Sequence, residues 1–78
     1  MIAVTVPQLS ISMEDAKVSR WLVDDGDAVR AGQFVVEVET DKATEEVEAP
    51  VSGTIADILA EEGDEVKVDM VLAIIEEA

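Results

Sequence analysis

Short apolar runs broken by single polar residues recur along the chain. Val4 and Val6 flank Thr5, Val36 and Val38 flank Glu37, and Val47 and Ala49 flank Glu48. Such alternation puts one set of side chains on a buried face of an extended strand and the other set in solvent. Asp25-Gly26 and Glu62-Gly63 punctuate the runs as turns, because glycine reaches positive φ at little cost. Gly32 marks a further turn, and Gly53 a turn or bulge. The pattern predicts strands near residues 2–6, 16–23, 28–31, 34–39, 44–49, 53–60, 65–67 and 71–75.

A shift of 37 residues superposes one half of this pattern on the other. Val18, Trp21, Leu22, Gly26, Asp27, Val29, Arg30, Val35, Val38 and Glu39 meet Ile55, Ile58, Leu59, Gly63, Asp64, Val66, Lys67, Leu72, Ile75 and Glu76, with five identities. At the front of each half, Val4-Thr5-Val6-Pro7 resembles Val47-Glu48-Ala49-Pro50 at a shift of 43, so the first half holds about six extra residues after its proline. The repeat also resolves an ambiguity. Ile55, Ile58, Leu59 and Glu62 have helical spacing, but the equivalent Val18 to Val23 is rich in β-formers, so both segments read as strands. Eight short strands in two like halves imply an all-β fold: a flattened barrel or sandwich of two four-stranded sheets with pseudo-twofold symmetry. Val29 and Val66 are then expected to be buried, and Gly26 and Gly63 to share positive φ. Residues 40–43, which join the halves, are expected at the end opposite the chain termini.

Composition narrows the function. The 78 residues allow one domain, spanning 1–78, with a thin core of Val, Ile, Leu and Ala. Neither cysteine nor histidine is present, which removes disulfides, thiolate or imidazole metal sites and most nucleophile–base pairs. Catalysis by this chain alone is not expected. A net charge of −14 opposes binding to nucleic acid and to anionic membranes, and no apolar run is long enough to span a bilayer. No basic segment with an apolar stretch follows Met1, so a cytoplasmic location is the expectation.

One residue stands out against the acidity. Lys42 has six carboxylates around it between Glu37 and Glu48, and it sits between the run ending at Val38 and the run starting near Val47. A lysine at such a hairpin tip is either an ordinary solvated charge or an amine presented to another protein. The stretch Glu39-Thr-Asp-Lys-Ala43 resembles the attachment motif of lipoyl domains of 2-oxo acid dehydrogenase complexes, within the wider biotinyl/lipoyl-attachment family. The similarity extends to the Gly-Asp-x-Val turns and to Ala49-Pro-Val-Ser-Gly-Thr-Ile55. The opening run from Val6 to Glu14, with Arg20-Trp21-Leu22, is most similar to dihydrolipoyl acyltransferase subunits of pyruvate or acetoin dehydrogenase complexes.

That resemblance implies a carrier domain rather than an enzyme, with lipoic acid attached to Lys42 by a lipoate ligase or lipoyl transferase. The arm would shuttle acyl groups and electrons among a thiamine-diphosphate-dependent dehydrogenase, an acyltransferase core and dihydrolipoamide dehydrogenase, of which the cofactor and the partners perform the bond-breaking chemistry. Asp41 and Ala43 carry over as the recognition flank of the lysine, and Glu39 matches a position often acidic in the family. Asp41 also reads as a plain turn residue, and Glu39 as an outward strand residue like its repeat partner Glu76. The extra segment Gln8, Leu9, Ser10, Ile11, Ser12, Met13, Glu14 and Asp15 has no counterpart in the second half and is expected beside the lysine turn as a recognition loop. The histidine-bearing acyltransferase domain is not in the sequence, so the chain is expected to be the leading segment of a longer subunit.

Other features read as structural. Asp24-Asp25-Gly26-Asp27 and Glu61-Glu62-Gly63-Asp64 look like calcium loops, yet Val23, Trp21, Ala60 and Ile58 occupy the places where an EF-hand needs oxygen ligands. Trp21 is read as packing, and Met13 and Met70 as gap-fillers. Among rival classes, biotin carriers have methionine on both sides of the modified lysine, where Asp41 and Ala43 stand here. Acyl carrier proteins need a serine in a helical bundle. An unmodified interaction module would leave Lys42 free.

Overall fold

A computed structural model describes residues 1–7, 15–41 and 43–78, Asp15 by its backbone alone. It contains eight strands: β1 (Ile2–Thr5), β2 (Asp15–Trp21), β3 (Ala28–Val29), β4 (Phe34–Glu39), β5 (Thr44–Glu48), β6 (Gly53–Ile58), β7 (Glu65–Lys67) and β8 (Val71–Glu77). They form two antiparallel sheets of four, ordered β1-β8-β6-β3 and β5-β4-β2-β7. The shortest dimension is 16 Å, as expected for two sheets packed about 10 Å apart with side chains between them. The strands β4 and β7 coincide with the predicted spans, the ends of the other six differ from them by one or two residues, and segment 55–62 is not helical.

The halves are related by a pseudo-twofold that exchanges the sheets, which is visible in reciprocal backbone bonds. Gly26 N–H donates to the Ile55 carbonyl at 2.8 Å, while Gly63 N–H donates to that of Val18 at 2.8 Å. Leu22 donates to Val35 and Leu59 to Leu72, both at 2.9 Å. The acidic turns match as well: the Asp27 carboxylate accepts from Asp24 N–H and the Asp64 carboxylate from Glu61 N–H, each at 2.9 Å. These carboxylates close turns. Gly26 and Gly63 have φ of 88° and 94°, and Gly32 at 88° is matched by Asp69 at 71°. Aspartate is one of the few side chains that tolerate this region, so the turn recurs without its glycine.

Bulges recur at equivalent places. The register shifts after Val18 and after Ile55, and again around Val35 and Leu72. The second pair explains why Val35-Val36 and Leu72-Ala73 are buried in succession, where strict alternation would expose one of each. The core is aliphatic: Val4, Val18, Val35, Val38, Ile55, Leu72 and Ile75 are wholly buried, and no polar side chain is buried among the described residues. Val29 and Val66 are both buried, as the repeat requires. Trp21 packs against the core and its Nε1–H donates to the Ala60 carbonyl at 2.8 Å.

Two expectations need correction. Met70 is 46% exposed, in the turn before β8, and fills no gap. Gly53 is neither a turn nor a bulge residue; it opens β6, where β8 lies so close that a Cβ would collide with its backbone.

Candidate functional site

The inner strand β4 and the edge strand β5 form the hairpin predicted around Lys42. Val36 pairs with Val47, and Glu39 pairs with Thr44 as the last rung. Beyond that rung, Thr40 N–H donates to the Ala43 carbonyl at 2.8 Å, and the Thr40 hydroxyl donates to the same carbonyl at 3.0 Å. Ala43 N–H in turn donates to Thr40 Oγ1 at 3.2 Å. Thr40 and Ala43, the residues that bracket positions 41 and 42 in the sequence, are thus bonded to each other. Lys42 itself lies outside the described residues, but Asp41, Ala43, Thr44 and Glu45 around it are all exposed.

Register places charges beside the neck. Across the second sheet, Thr44, Glu39, Lys17 and Glu65 stand in one row on neighbouring strands, and all four are exposed. A second row brings Glu46 opposite Glu37, an unfavourable like-charge pair, with Arg20 on the other side of Glu37 to offset it. Ala16, Lys17, Glu39, Thr40, Asp41 and Glu65 line a surface depression of about 130 Å³ at the foot of the turn.

Of the residues picked out by sequence, Glu39, Asp41 and Ala43 thus come together. Gln8 to Glu14 lie outside the described residues, as does the Asp15 side chain. The strand that follows them, through Ala16 and Lys17, lines the same depression as Thr40 and Asp41. Sequence reasoning missed Thr40, Lys17 and Glu65. A threonine just before a turn is a recognised local hydrogen-bonding signal, so Thr40 was open to discovery. Lys17 and Glu65 carry no such signal, since only strand register brings them to the tip.

An all-β body whose β4–β5 hairpin is linked through Lys42 is the arrangement of a carrier of a covalently attached group, and the comparisons with known proteins give that class. The family described as "Biotin-requiring enzyme", the biotin/lipoyl family, matches residues 2–75, and the chain belongs to it. Within it the chain is a lipoyl domain, a carrier class that bears lipoic acid covalently on a lysine. The dihydrolipoyllysine-residue acetyltransferase component of the pyruvate dehydrogenase complex from Rhizobium meliloti is 47% identical over 75 residues, which cover 95% of this chain and 17% of that protein. The pyruvate dehydrogenase E1 component subunit beta of the same organism is 44% identical, over 95% of this chain and 16% of that protein. Among solved structures, the lipoyl domain of the 2-oxoglutarate dehydrogenase complex from Azotobacter vinelandii superposes with a TM-score of 0.73 at 34% identity, covering 96% of this chain and 98% of that one. The chain thus spans about a sixth of the length of the curated relatives, and nearly all of the solved domain.

Proposed function

We propose that Lys42 is the residue that carries lipoic acid, and that the domain serves a 2-oxo acid dehydrogenase complex as its swinging arm. One observation carries the assignment. Of the three lysines, Lys17 and Lys67 lie within β2 and β7, opposite Glu39 and Asp15, whereas Lys42 falls in the sequence between Thr40 and Ala43, whose bonds close the end of the β4–β5 hairpin. The residues on either side fit an attached arm, because the small Ala43 and Asp41 are both exposed. When attached, the group supplies a disulfide/dithiol pair able to carry an acyl group and two electrons. The protein supplies attachment, presentation and recognition. Amide formation removes the ammonium and makes the domain more negative by one charge. Tethering substitutes a high local concentration of lipoamide for free diffusion.

The partners follow from the same reading: a lipoate ligase or lipoyl transferase, the thiamine-diphosphate-dependent dehydrogenase, the acyltransferase core and dihydrolipoamide dehydrogenase. Glu39, Asp41, Ala43 and residues 8–15 form the surface that the dehydrogenase recognises. The lined depression supports this, because the strand leaving residues 8–15 borders it together with Thr40 and Asp41.

Incubation with a lipoate ligase, ATP and lipoate, followed by intact mass and peptide mapping, tests the assignment. One lipoyl group is expected on Lys42, and none on Lys42→Arg with an unchanged far-UV spectrum. Lipoylation of Lys17 or Lys67 overturns the assignment, and biotin incorporation by a biotin ligase in its place points to the biotin-carrier branch.

A further inference from the structure

We infer that Thr40 is a positioning residue for Lys42: its side chain, together with one backbone bond, sets the neck from which the lysine is presented. The inference rests on Lys42 being the modified residue. In an ordinary two-residue hairpin the backbone N–H after the loop donates to the backbone carbonyl before it. Here Ala43 N–H donates to Thr40 Oγ1 at 3.2 Å, and the same hydroxyl returns a hydrogen bond to the Ala43 carbonyl at 3.0 Å. The Thr40 N–H reaches that carbonyl as well, at 2.8 Å. One side chain therefore bonds both backbone groups of the residue that follows Lys42, sharing the carbonyl with the Thr40 N–H.

Four further points assign the clasp to presentation rather than to folding. Thr40 is half-buried, whereas Asp41, Ala43 and Thr44 are exposed, so it is the anchored member of the turn. Its branched Cβ restricts χ1, which holds the hydroxyl toward Ala43 with little entropy left to lose. The fold does not call for it: Asp27 and Gly26 recur as Asp64 and Gly63 in the second half, but the repeat partner of Thr40 is Glu77, at the end of β8. Thr40 also borders the depression with Ala16, Lys17, Glu39 and Glu65, so the clasp ties the residues on either side of position 42 to that charged surface.

Thr40→Val keeps the shape and removes the hydroxyl, and Thr40→Ser keeps the hydroxyl. If the neck loosens, only a fraction of domains presents Lys42 correctly, and an enzyme that selects this fraction sees a raised KM with an unchanged kcat. The experiment is steady-state lipoylation of wild type, Thr40→Val and Thr40→Ser by a lipoate ligase with ATP and lipoate, together with amide hydrogen exchange at Ala43. For Thr40→Val, a rise in KM of about tenfold with kcat within about twofold is expected, and Ala43 exchange should accelerate by a similar factor, on the scale of two neutral hydrogen bonds. Thr40→Ser should return KM to within about twofold of wild type. A Thr40→Val domain that melts lower but keeps its KM and its Ala43 exchange overturns the inference, because that is the signature of a merely structural residue. Mapping the modified lysine in the wild type separates the two failures. Modification away from Lys42 defeats the attachment reading, whereas modification at Lys42 with Thr40→Val kinetics unchanged defeats only the role of Thr40.

Discussion

Gly53→Ala puts a methyl group where β6 has no room for one. The added Cβ would sit 2.8 Å from Ile75 Cγ2 and 2.9 Å from the Glu76 carbonyl carbon, with the Glu76 carbonyl oxygen closer still. All three contacts fall inside the 3.4 Å at which ordinary packing begins. The Ile75 side chain is wholly buried and cannot swing away, and the Glu76 atoms are backbone, so the strands must part. Parting gives up the pairs Gly53–Glu77 and Thr54–Glu76 and the 3.2 Å bond from Ala78 N–H to the Ser52 carbonyl. At about 1 kcal/mol net per hydrogen bond, and with overpacking typically costing 1–3 kcal/mol, the expected loss is about 2–3 kcal/mol. The smaller unfolded-state entropy of alanine offsets less than about 1 kcal/mol of this. A domain of this size has a total stability of roughly 4–12 kcal/mol, so the melting temperature should fall on the order of 10–20 °C.

The repeat supplies an internal control for that substitution. The equivalent of Gly53 is Ala16, which is buried without a clash. The difference lies in the partner strand: β8 runs on to Glu77 and pairs with Gly53, whereas β4 stops at Glu39 and leaves for the lysine turn, so nothing on β4 pairs with Ala16. Ala16→Gly should therefore cost only about 0.5–1 kcal/mol, from backbone entropy and lost packing. Urea titrations of both variants at a common m-value measure the two losses. A Gly53→Ala loss below about 0.5 kcal/mol, or one equal to that of Ala16→Gly, would refute the crowding argument.

Two other expectations follow from the same structure. Val29→Ala and Val66→Ala, equivalent buried positions under opposite sheets, should each lower stability by about 1–3 kcal/mol and by similar amounts, and a change at one site alone in denaturant melts would contradict the symmetry. Shortening residues 8–15 to the length of the second half should reduce the preference of the dehydrogenase for the lipoylated domain over free lipoamide, measured as reductive acylation kcat/KM, while equal rates from the folded variant would remove that segment from recognition.

Much of the molecule is written in its local pattern. Alternation and the repeat are enough to place the eight strands, the buried Val29 and Val66, the left-handed Gly26 and Gly63, and the hairpin that holds Lys42. Each of these depends on a single residue's backbone preference or on which side of one strand it faces. Other features depend on how strands far apart in sequence are registered, and these only the tertiary structure decided. Val35 and Leu72 turn inward beside another buried residue because bulges shift their pairing with β5 and β1. Asp69 adopts the conformation of Gly32 because the twofold imposes the same bonds, its N–H reaching the Val6 carbonyl as that of Gly32 reaches Ala49. Lys17 and Glu65 arrive beside the lysine turn through their pairing across β2 and β7, more than forty residues apart in sequence. Gly53 is required because β8 continues where β4 turns away, a difference in strand length between two halves that read alike. Propensity and periodicity describe one strand at a time, whereas register is settled by the mutual fit of two aliphatic faces closing on a common core.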